Sequence, residues 1–136
     1  MRANVISVQN NLNAHDLVGE IDLNASAAVL AARGDSISCT KTGTGTYVVR
    51  VSARDQGSPA VFEVLYRDAT LQNGTPAGAL GVKVTTITVD TADATKNDIL
   101  ITLVTTATAG GTGAAADSTA AVTIPFWVKI RTRKVF

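Results

Sequence analysis

The side chains best suited to acid–base or nucleophilic chemistry are scarce in this sequence. His15 is the only histidine and Cys39 the only cysteine, so a Ser-His-Asp or Cys-His mechanism would depend on His15. His15 lies in NNLNAHD, a stretch without clear hydrophobic patterning, which is typical of a surface position. Cys39 lies in the alternating stretch SISCT, where we expect a small buried hydrophobic residue rather than a reactive thiol. These features predict a protein without enzymatic activity.

The carboxylates form no recognisable catalytic or metal-binding pattern. Asp90, Asp93 and Asp98 are hard oxygen donors in one segment, DTADATKND, but their spacing lacks the alternation and the closing glutamate of an EF-hand. An acidic turn between strands is the better interpretation. Glu20 and Glu63 are the only glutamates, and nothing in the sequence pairs them as a glycosidase requires. No metal and no other cofactor is predicted.

Two short motifs that contain glycine also allow a functional interpretation. KTGTG, residues 41–45, precedes a strand, whereas a phosphate-binding loop opens onto a helix N-terminus, so nucleotide binding is poorly supported. Arg33-Gly34-Asp35 matches an integrin-binding tripeptide, but a match of this length arises often by chance. The N-terminal stretch also lacks the continuous apolar run of a secretory signal peptide. We assign no function to either motif.

The strongest local charge lies in VKIRTRKVF, residues 128–136. Lys129, Arg131 and Arg133 share a predicted strand face with Trp127, so this face could bind an acidic protein surface or a nucleic-acid backbone. A formal net charge of only +1 disfavours nucleic acid, because proteins that bind it usually carry a clear basic excess. A solvated face with basic side chains that prevent strand pairing is the alternative. We predict that Trp127, Lys129, Arg131 and Arg133 are candidate contacts with a protein partner.

Strands are the elements that must position these side chains. Ile37 and Cys39 share one face of an alternating stretch, and Tyr47, Val49 and Val51 share a face of the next. The intervening KTGTG can supply the positive φ angles of a tight turn, so the two stretches predict a hairpin.

The final alternating stretch is the most regular. It predicts a strand with one apolar face, formed by Val122, Ile124, Phe126, Val128 and Ile130. Pro125 lies on the other face and cannot donate a ladder hydrogen bond, which predicts an edge strand or a local bulge.

The middle of the chain predicts three further strands. In 61–67 the alternation places Phe62, Val64 and Tyr66 on one face. In 80–89 the apolar positions change parity, which predicts a bulge near Thr85 and Thr86. The stretch 99–104 is apolar on both faces, so we expect it in the centre of a sheet or at a subunit contact.

Two segments are less regular. Residues 106–121 are mostly small, which predicts a long flexible loop or, alternatively, a loop that contacts a partner. Residues 1–35 form an N-terminal arm or the first strands, with strands over 4–9 and 16–23 and extended structure favoured over a short helix in 24–33. Residues 36–136 are predicted to form one β-sandwich domain.

The composition predicts a thin core. Of the 136 residues, 46% are hydrophobic but only 4% are aromatic, so aliphatic side chains must build the interior. Contacts with identical neighbours would supplement such a core. A single cysteine forms no intrachain disulfide, and no segment has the length of a membrane span. We expect a soluble protein that is made in the cytoplasm of its cell and does not bind membranes.

SISCTKTGTGTYVVRV, residues 36–51, resembles a pattern that recurs in phage virion proteins. That pattern is a serine-bearing strand, a TGTG-type turn and then GTYxVxV, as in small C1q-like or jelly-roll modules of tail-fibre tips, head fibres and capsid decoration proteins. The resemblance implies an all-β fold, an antiparallel β-sandwich of the jelly-roll or C1q-like kind. It also implies a homo-oligomer, with a trimer expected, and carries over no catalytic residue.

The resemblance implies a structural function on the virion. A short chain of this kind is similar to capsid decoration, or cement, proteins, which would bind the major capsid protein on the outside of a phage capsid and stabilise the shell. Residues 1–35 would then anchor the protein, and it would be made in the host cytoplasm. The alternative is a receptor- or carbohydrate-binding module of a head or tail fibre. Aromatic residues in exposed loops would favour that alternative, but Tyr47, Tyr66 and Trp127 fall within predicted strands.

Overall fold

The computed structural model describes residues 14–34, 36–52, 62–72, 81–90, 98–108 and 111–132. Within these ranges no helix has the length and apolar character needed to cross a membrane. The described residues form eight strands: β1 (Ala14–Leu23), β2 (Val29–Gly34), β3 (Ile37–Gly43), β4 (Thr46–Val51), β5 (Phe62–Ala69), β6 (Gly81–Val89), β7 (Ile99–Thr106) and β8 (Val122–Thr132).

The strands form two four-stranded antiparallel sheets. Sheet A has the order β2-β1-β8-β5, and sheet B has the order β3-β4-β7-β6. Strands β1 and β8 pair in the middle of sheet A, and β4 and β7 pair in the middle of sheet B. The β4–β7 pair is therefore formed by strands that lie between β1 and β8 in the sequence, and it occupies the opposite sheet.

The two sheets bury one hydrophobic core between them, and this arrangement confirms the predicted all-β antiparallel sandwich. Alternation explains the burial, because every second side chain of a strand points to the same face. The buried hydrophobic side chains of the core come from both sheets: Leu17, Ile21, Leu23, Val122, Ile124, Phe126, Val128 and Ile130 from sheet A, and Tyr47, Val49, Val51, Val82, Val84, Ile99, Ile101 and Leu103 from sheet B.

The predicted β3–β4 hairpin is confirmed. Cys39 pairs with Val49 and Ile37 with Val51, so the inward faces agree with the sequence pattern. Gly45 in the turn has a φ of 58°, a left-handed conformation that glycine adopts without steric cost.

Two bulges change which side chains share a face. The predicted bulge in β6 is confirmed, since the register with β7 shifts between Val84 and Thr86. A second bulge, which the sequence analysis did not predict, lies in β5 between Val64 and Tyr66. It places Tyr66 opposite Lys129, on the outer face, so the prediction that Tyr66 shares a face with Val64 is wrong.

Strand β8 is central in sheet A, so the prediction that Pro125 marks an edge or bulged strand is also wrong. The Pro125 carbonyl accepts a hydrogen bond from the Thr70 amide at 3.0 Å. The reciprocal bond would need a proline N–H, which does not exist. Strand β5 ends at Ala69, one residue before this point, and pairing resumes only at an isolated bridge between Gln72 and Thr123.

The N-terminal strands are part of the sandwich. The predicted strand over 16–23 lies within β1, and β1 pairs with β8 along its whole length. The extended structure favoured for 24–33 is confirmed only for 29–33, which lie in β2. Residues 25–27 instead form a turn, at which the Asn24 side chain accepts hydrogen bonds from the amides of Ser26 and Ala28. The strand predicted over 4–9 lies outside the described residues.

Residues 111–121 of the connection between β7 and β8 are fastened to sheet B, contrary to the prediction of a loose loop. The Ala116 amide donates to the Thr105 carbonyl at 2.9 Å, and the Thr105 hydroxyl donates to the Ala116 carbonyl at 2.6 Å. The Asp117 carboxylate accepts a hydrogen bond from the Gly45 amide at 2.6 Å and forms an ion pair with Lys41 at 3.1 Å. Small side chains let the two backbones approach closely here.

Candidate functional site

The outer face of sheet A is formed by side chains that alternate with the core residues of β1, β5 and β8. All the large hydrophobic side chains that are exposed among the described residues lie on strands of sheet A: Val18, Leu30, Val64, Leu65, Tyr66 and Trp127. Val64 is opposite the inward-facing Ile130, so the cluster on the outer face centres on Val18, Tyr66 and Trp127. Exposed apolar residues concentrated on one face commonly mark an interaction site.

Trp127 is fixed in the middle of this outer face by contacts on two sides. Its Nε1–H donates to Asp16 Oδ1 at 3.1 Å. Its ring lies 4.7 Å from the ring of Tyr66, centroid to centroid, with an angle of 53° between the two planes. Trp127 nevertheless remains 45% exposed, and Val18, its register partner on β1, is 59% exposed. The indole is therefore held in place and accessible.

The basic side chains predicted beside Trp127 have acidic neighbours. Arg131 forms an ion pair with Glu63 at 3.0 Å. Lys129 is opposite Asp16 in the register with β1. Arg133 lies outside the described residues. Three of the four predicted contact residues thus share the outer face of sheet A, where carboxylates offset the positive charge that suggested an acidic partner.

The Trp127 pocket, an open pocket of about 280 Å³, lies beside the indole. It forms where Pro125 interrupts pairing between β5 and β8. Its lining consists of Val18, Gly19, Glu20, Asp68, Ala69, Thr70, Pro125, Phe126 and Trp127. Sequence reasoning missed Asp68 in the pocket lining and Asp16 and Tyr66 as contacts of Trp127. Pro125 was the signal that could have located the pocket.

A second open pocket, of about 490 Å³, lies at the other end of the same face, and its lining includes Leu30 and Arg33. Arg33 donates hydrogen bonds to both oxygens of Asp22 and, at 3.1 Å, to Glu20. Arg33, followed by the Thr123 hydroxyl, holds the pKa of the Asp22 carboxyl below its ordinary value. Arg33 is therefore engaged within the sheet, and Asp35 of the tripeptide is outside the described residues.

The side chains considered for catalysis do not converge. Glu20 is opposite Pro125 and Glu63 is opposite Arg131, six residues along β8, a separation of about 20 Å at the rise of a strand. Paired glycosidase carboxylates lie within about 10 Å of each other. His15 is half-buried on β1.

Neither the cysteine nor the acidic turn has the environment of a reactive site. Burial raises the pKa of the half-buried Cys39 thiol to about 11, which disfavours the nucleophilic thiolate. Asp90 and Asp98 form ion pairs with Arg50 at 2.7 and 3.0 Å, and Asp93 lies outside the described residues. Within the described ranges no three His, Cys, Asp or Glu side chains are grouped to hold a metal ion.

Comparisons of the chain with protein families, with curated proteins and with solved structures found no match. The outer face of sheet A, with Trp127 at its centre, is the candidate functional site.

Proposed function

We propose that this chain is a non-enzymatic structural protein of a phage virion, which binds the outside of the capsid as an oligomer and stabilises the shell. The observation that supports the proposal is the concentration of large exposed hydrophobic side chains on sheet A. Such a face exposes apolar surface to water, which is unfavourable unless a partner covers it. The expected partner is the major capsid protein, as the resemblance of residues 36–51 implies.

The charges of this face suit a protein partner. Trp and Tyr are typical of the buried centre of protein interfaces, and ion pairs are typical of the polar rim. Trp127 and Tyr66 lie between the ion pair of Glu63 with Arg131 and that of Glu20 with Arg33. Because exposed ion pairs at a polar rim contribute little, burial of the aromatic centre would provide most of the binding free energy.

Heat stability of the capsid tests this function directly. We expect particles that lack the protein to release their genome at a lower temperature than particles that carry it, because each bound copy would hold several capsid subunits together. Release can be followed with a dye that reports free DNA while the particles are heated. Equal release temperatures with and without the protein would contradict the proposal.

The native mass in solution tests the oligomer separately. Light scattering behind size exclusion should give the mass of a trimer, since a thin aliphatic core gains stability from identical neighbours. A monomer that also fails to oligomerise on capsids would contradict this part of the proposal.

One observation favours a second function, the binding of carbohydrate by a fibre module. The aromatic residues fall within strands, but Tyr66 and Trp127 are exposed on the outer face and lie beside a pocket. Saturable binding of a simple glycoside, with no binding to capsids, would support this function over the first.

A further inference from the structure

The Trp127 pocket combines an aromatic surface with negative charge. Glu20 reaches it from β1 and Asp68 from β5, on either side of β8. Because neighbouring strands lie about 4.8 Å apart, the two carboxylates flank a space about 10 Å wide. No basic residue is present in its described lining.

The carboxylates of this pocket retain negative charge after their internal contacts are counted. Arg33 forms ion pairs with both Glu20 and Asp22, so these three side chains together have one net negative charge. Asp68 accepts a long hydrogen bond, 3.4 Å, from the neutral hydroxyl of Tyr66. Among the ion pairs between described residues, none includes Asp68.

An exposed indole beside carboxylates is complementary to a cation. A guanidinium or ammonium group is attracted to the face of a tryptophan ring and forms charge-assisted hydrogen bonds with carboxylates. The planar guanidinium of arginine can do both at once. A sugar could also stack on Trp127, but it has no charge for Glu20 and Asp68 to neutralise. A phosphate backbone would be repelled.

We propose that the Trp127 pocket binds a basic side chain, with arginine preferred, on a segment of the protein partner. The identity of that partner as a capsid protein rests on the proposed function, whereas the chemistry of the pocket does not. Tyr66 and Asp16 act as positioning residues, because their contacts fix the indole against which the cation packs.

The fluorescence of the full chain tests this binding, because Trp127 is the only tryptophan. The probe is the peptide acetyl-Gly-Arg-Gly-amide, and the control is acetyl-Gly-Gln-Gly-amide, which has no charge. We expect the arginine peptide to change the emission in a saturable way and the glutamine peptide to leave it unchanged. Asp68→Asn and Glu20→Gln should each weaken binding of the arginine peptide by about threefold to tenfold.

Glu63→Gln is the matched control variant. It removes one negative charge from the same outer face and, like Asp68→Asn, from β5, but Glu63 does not line the Trp127 pocket. Its affinity for the peptide should stay within twofold of that of the unchanged chain. If Glu63→Gln and Asp68→Asn lose the same affinity for the arginine peptide, the attraction is a general effect of charge, and the proposal that the pocket binds arginine is overturned. Saturation by methyl glucoside instead of the arginine peptide would overturn it in favour of a sugar site.

Capsid binding by the same variants separates this inference from the proposed function. Suppose that the unchanged chain binds capsids and that the Asp68→Asn, Glu20→Gln double variant binds them equally well. The pocket then does not bind the capsid protein, although the proposed capsid-binding function is retained. If the chain binds the arginine peptide but no capsid, the pocket stands and the proposed function fails.

Discussion

The outer faces of the two sheets are built by the same alternation but expose different side chains. Sheet A exposes large hydrophobic residues and an aromatic pair. Sheet B, over its described residues, exposes none of the large hydrophobic side chains. Its outward positions are mostly small or β-branched: Ser38, Thr40, Thr46, Val48, Thr86, Thr88, Thr102 and Val104.

This difference is the basis for proposing that a partner covers sheet A rather than sheet B. Threonine and valine suit a pleated surface that stays in contact with water, because they favour strands and expose little apolar area. Trp127, exposed beside Val18 and Tyr66, leaves much more apolar area in contact with water than a threonine or valine would. The outer face of sheet A is therefore the surface on which we propose that a partner binds.

The inward faces of the two sheets should contribute equally to stability, even though the outward faces differ. Ile124 in β8 and Ile101 in β7 are both fully buried in central strands, one in each sheet. We expect Ile124→Ala and Ile101→Ala each to reduce the free energy of unfolding by about 2 to 5 kcal/mol, through lost burial and a cavity. Urea denaturation measures both. A large cost in only one sheet would show that the core is not shared.

The outward faces should differ in partner binding. Trp127 and Thr102 occupy the outward side of the central strands β8 and β7. Trp127→Ala should weaken binding to capsids about thirtyfold, or about 2 kcal/mol, because truncated aromatic centres of interfaces lose this much. Thr102→Ala should leave binding unchanged, and both variants should keep the unfolding transition of the parent within about 1 kcal/mol. Binding can be measured by co-sedimentation with capsids. Equal losses would remove the distinction between the faces.

The smallest effect is expected where the β7–β8 connection is fastened to sheet B. Asp117→Ala should lower the free energy of unfolding by about 1 kcal/mol, since the Gly45 amide loses its acceptor and the half-exposed ion pair with Lys41 adds little. Asp117→Asn keeps an acceptor and should lose less. Capsid binding should be unaffected in both variants, and a change in it would assign this end of sheet B to the interface.

The same contact has a defined pH dependence. The Gly45 amide, followed by Lys41, holds the pKa of the Asp117 carboxyl below its ordinary value. Its stabilisation is therefore present above the ordinary pKa, about 4, and is lost as the pH falls through the lowered pKa of the folded state. The difference in stability between the parent and Asp117→Asn should shrink in that range, and acid titrations in urea can follow it.

The parts of the fold that were predictable from the sequence are those with an unambiguous parity of hydrophobic residues. Strand β8 alternates strictly, so its buried face was predicted correctly. The bulge in β6 was visible because Ile87 and Val89 change parity relative to Val84. In β5 both parities are apolar over Val64, Leu65 and Tyr66, so the sequence contained no signal for the bulge that brings Tyr66 to Trp127.

Other features depend on contacts between distant parts of the chain. Pro125 is tolerated in a central strand because β5 ends beside it. The residues of β8 alone do not show where β5 ends. The connection after β7 is held by backbone groups of Thr105 and Ala116 and by Asp117. Small residues give no sequence pattern for such contacts, so this segment was predicted as flexible. Trp127 was predicted as a contact residue, but its acidic neighbours were not.

The central place of β8 in sheet A also determines the order in which the protein can fold during synthesis. Trp127 and Asp16 are 111 residues apart in the chain yet lie on adjacent strands. Sheet B is complete once β7 has been made, whereas β1 and β5 must wait for β8. At about 5 to 20 residues per second, roughly 5 to 20 s of synthesis separate β1, which can already pair with β2, from its second neighbour β8. The outer face of sheet A is therefore assembled only after β8 has been made, so the proposed capture of a partner requires a closed sandwich.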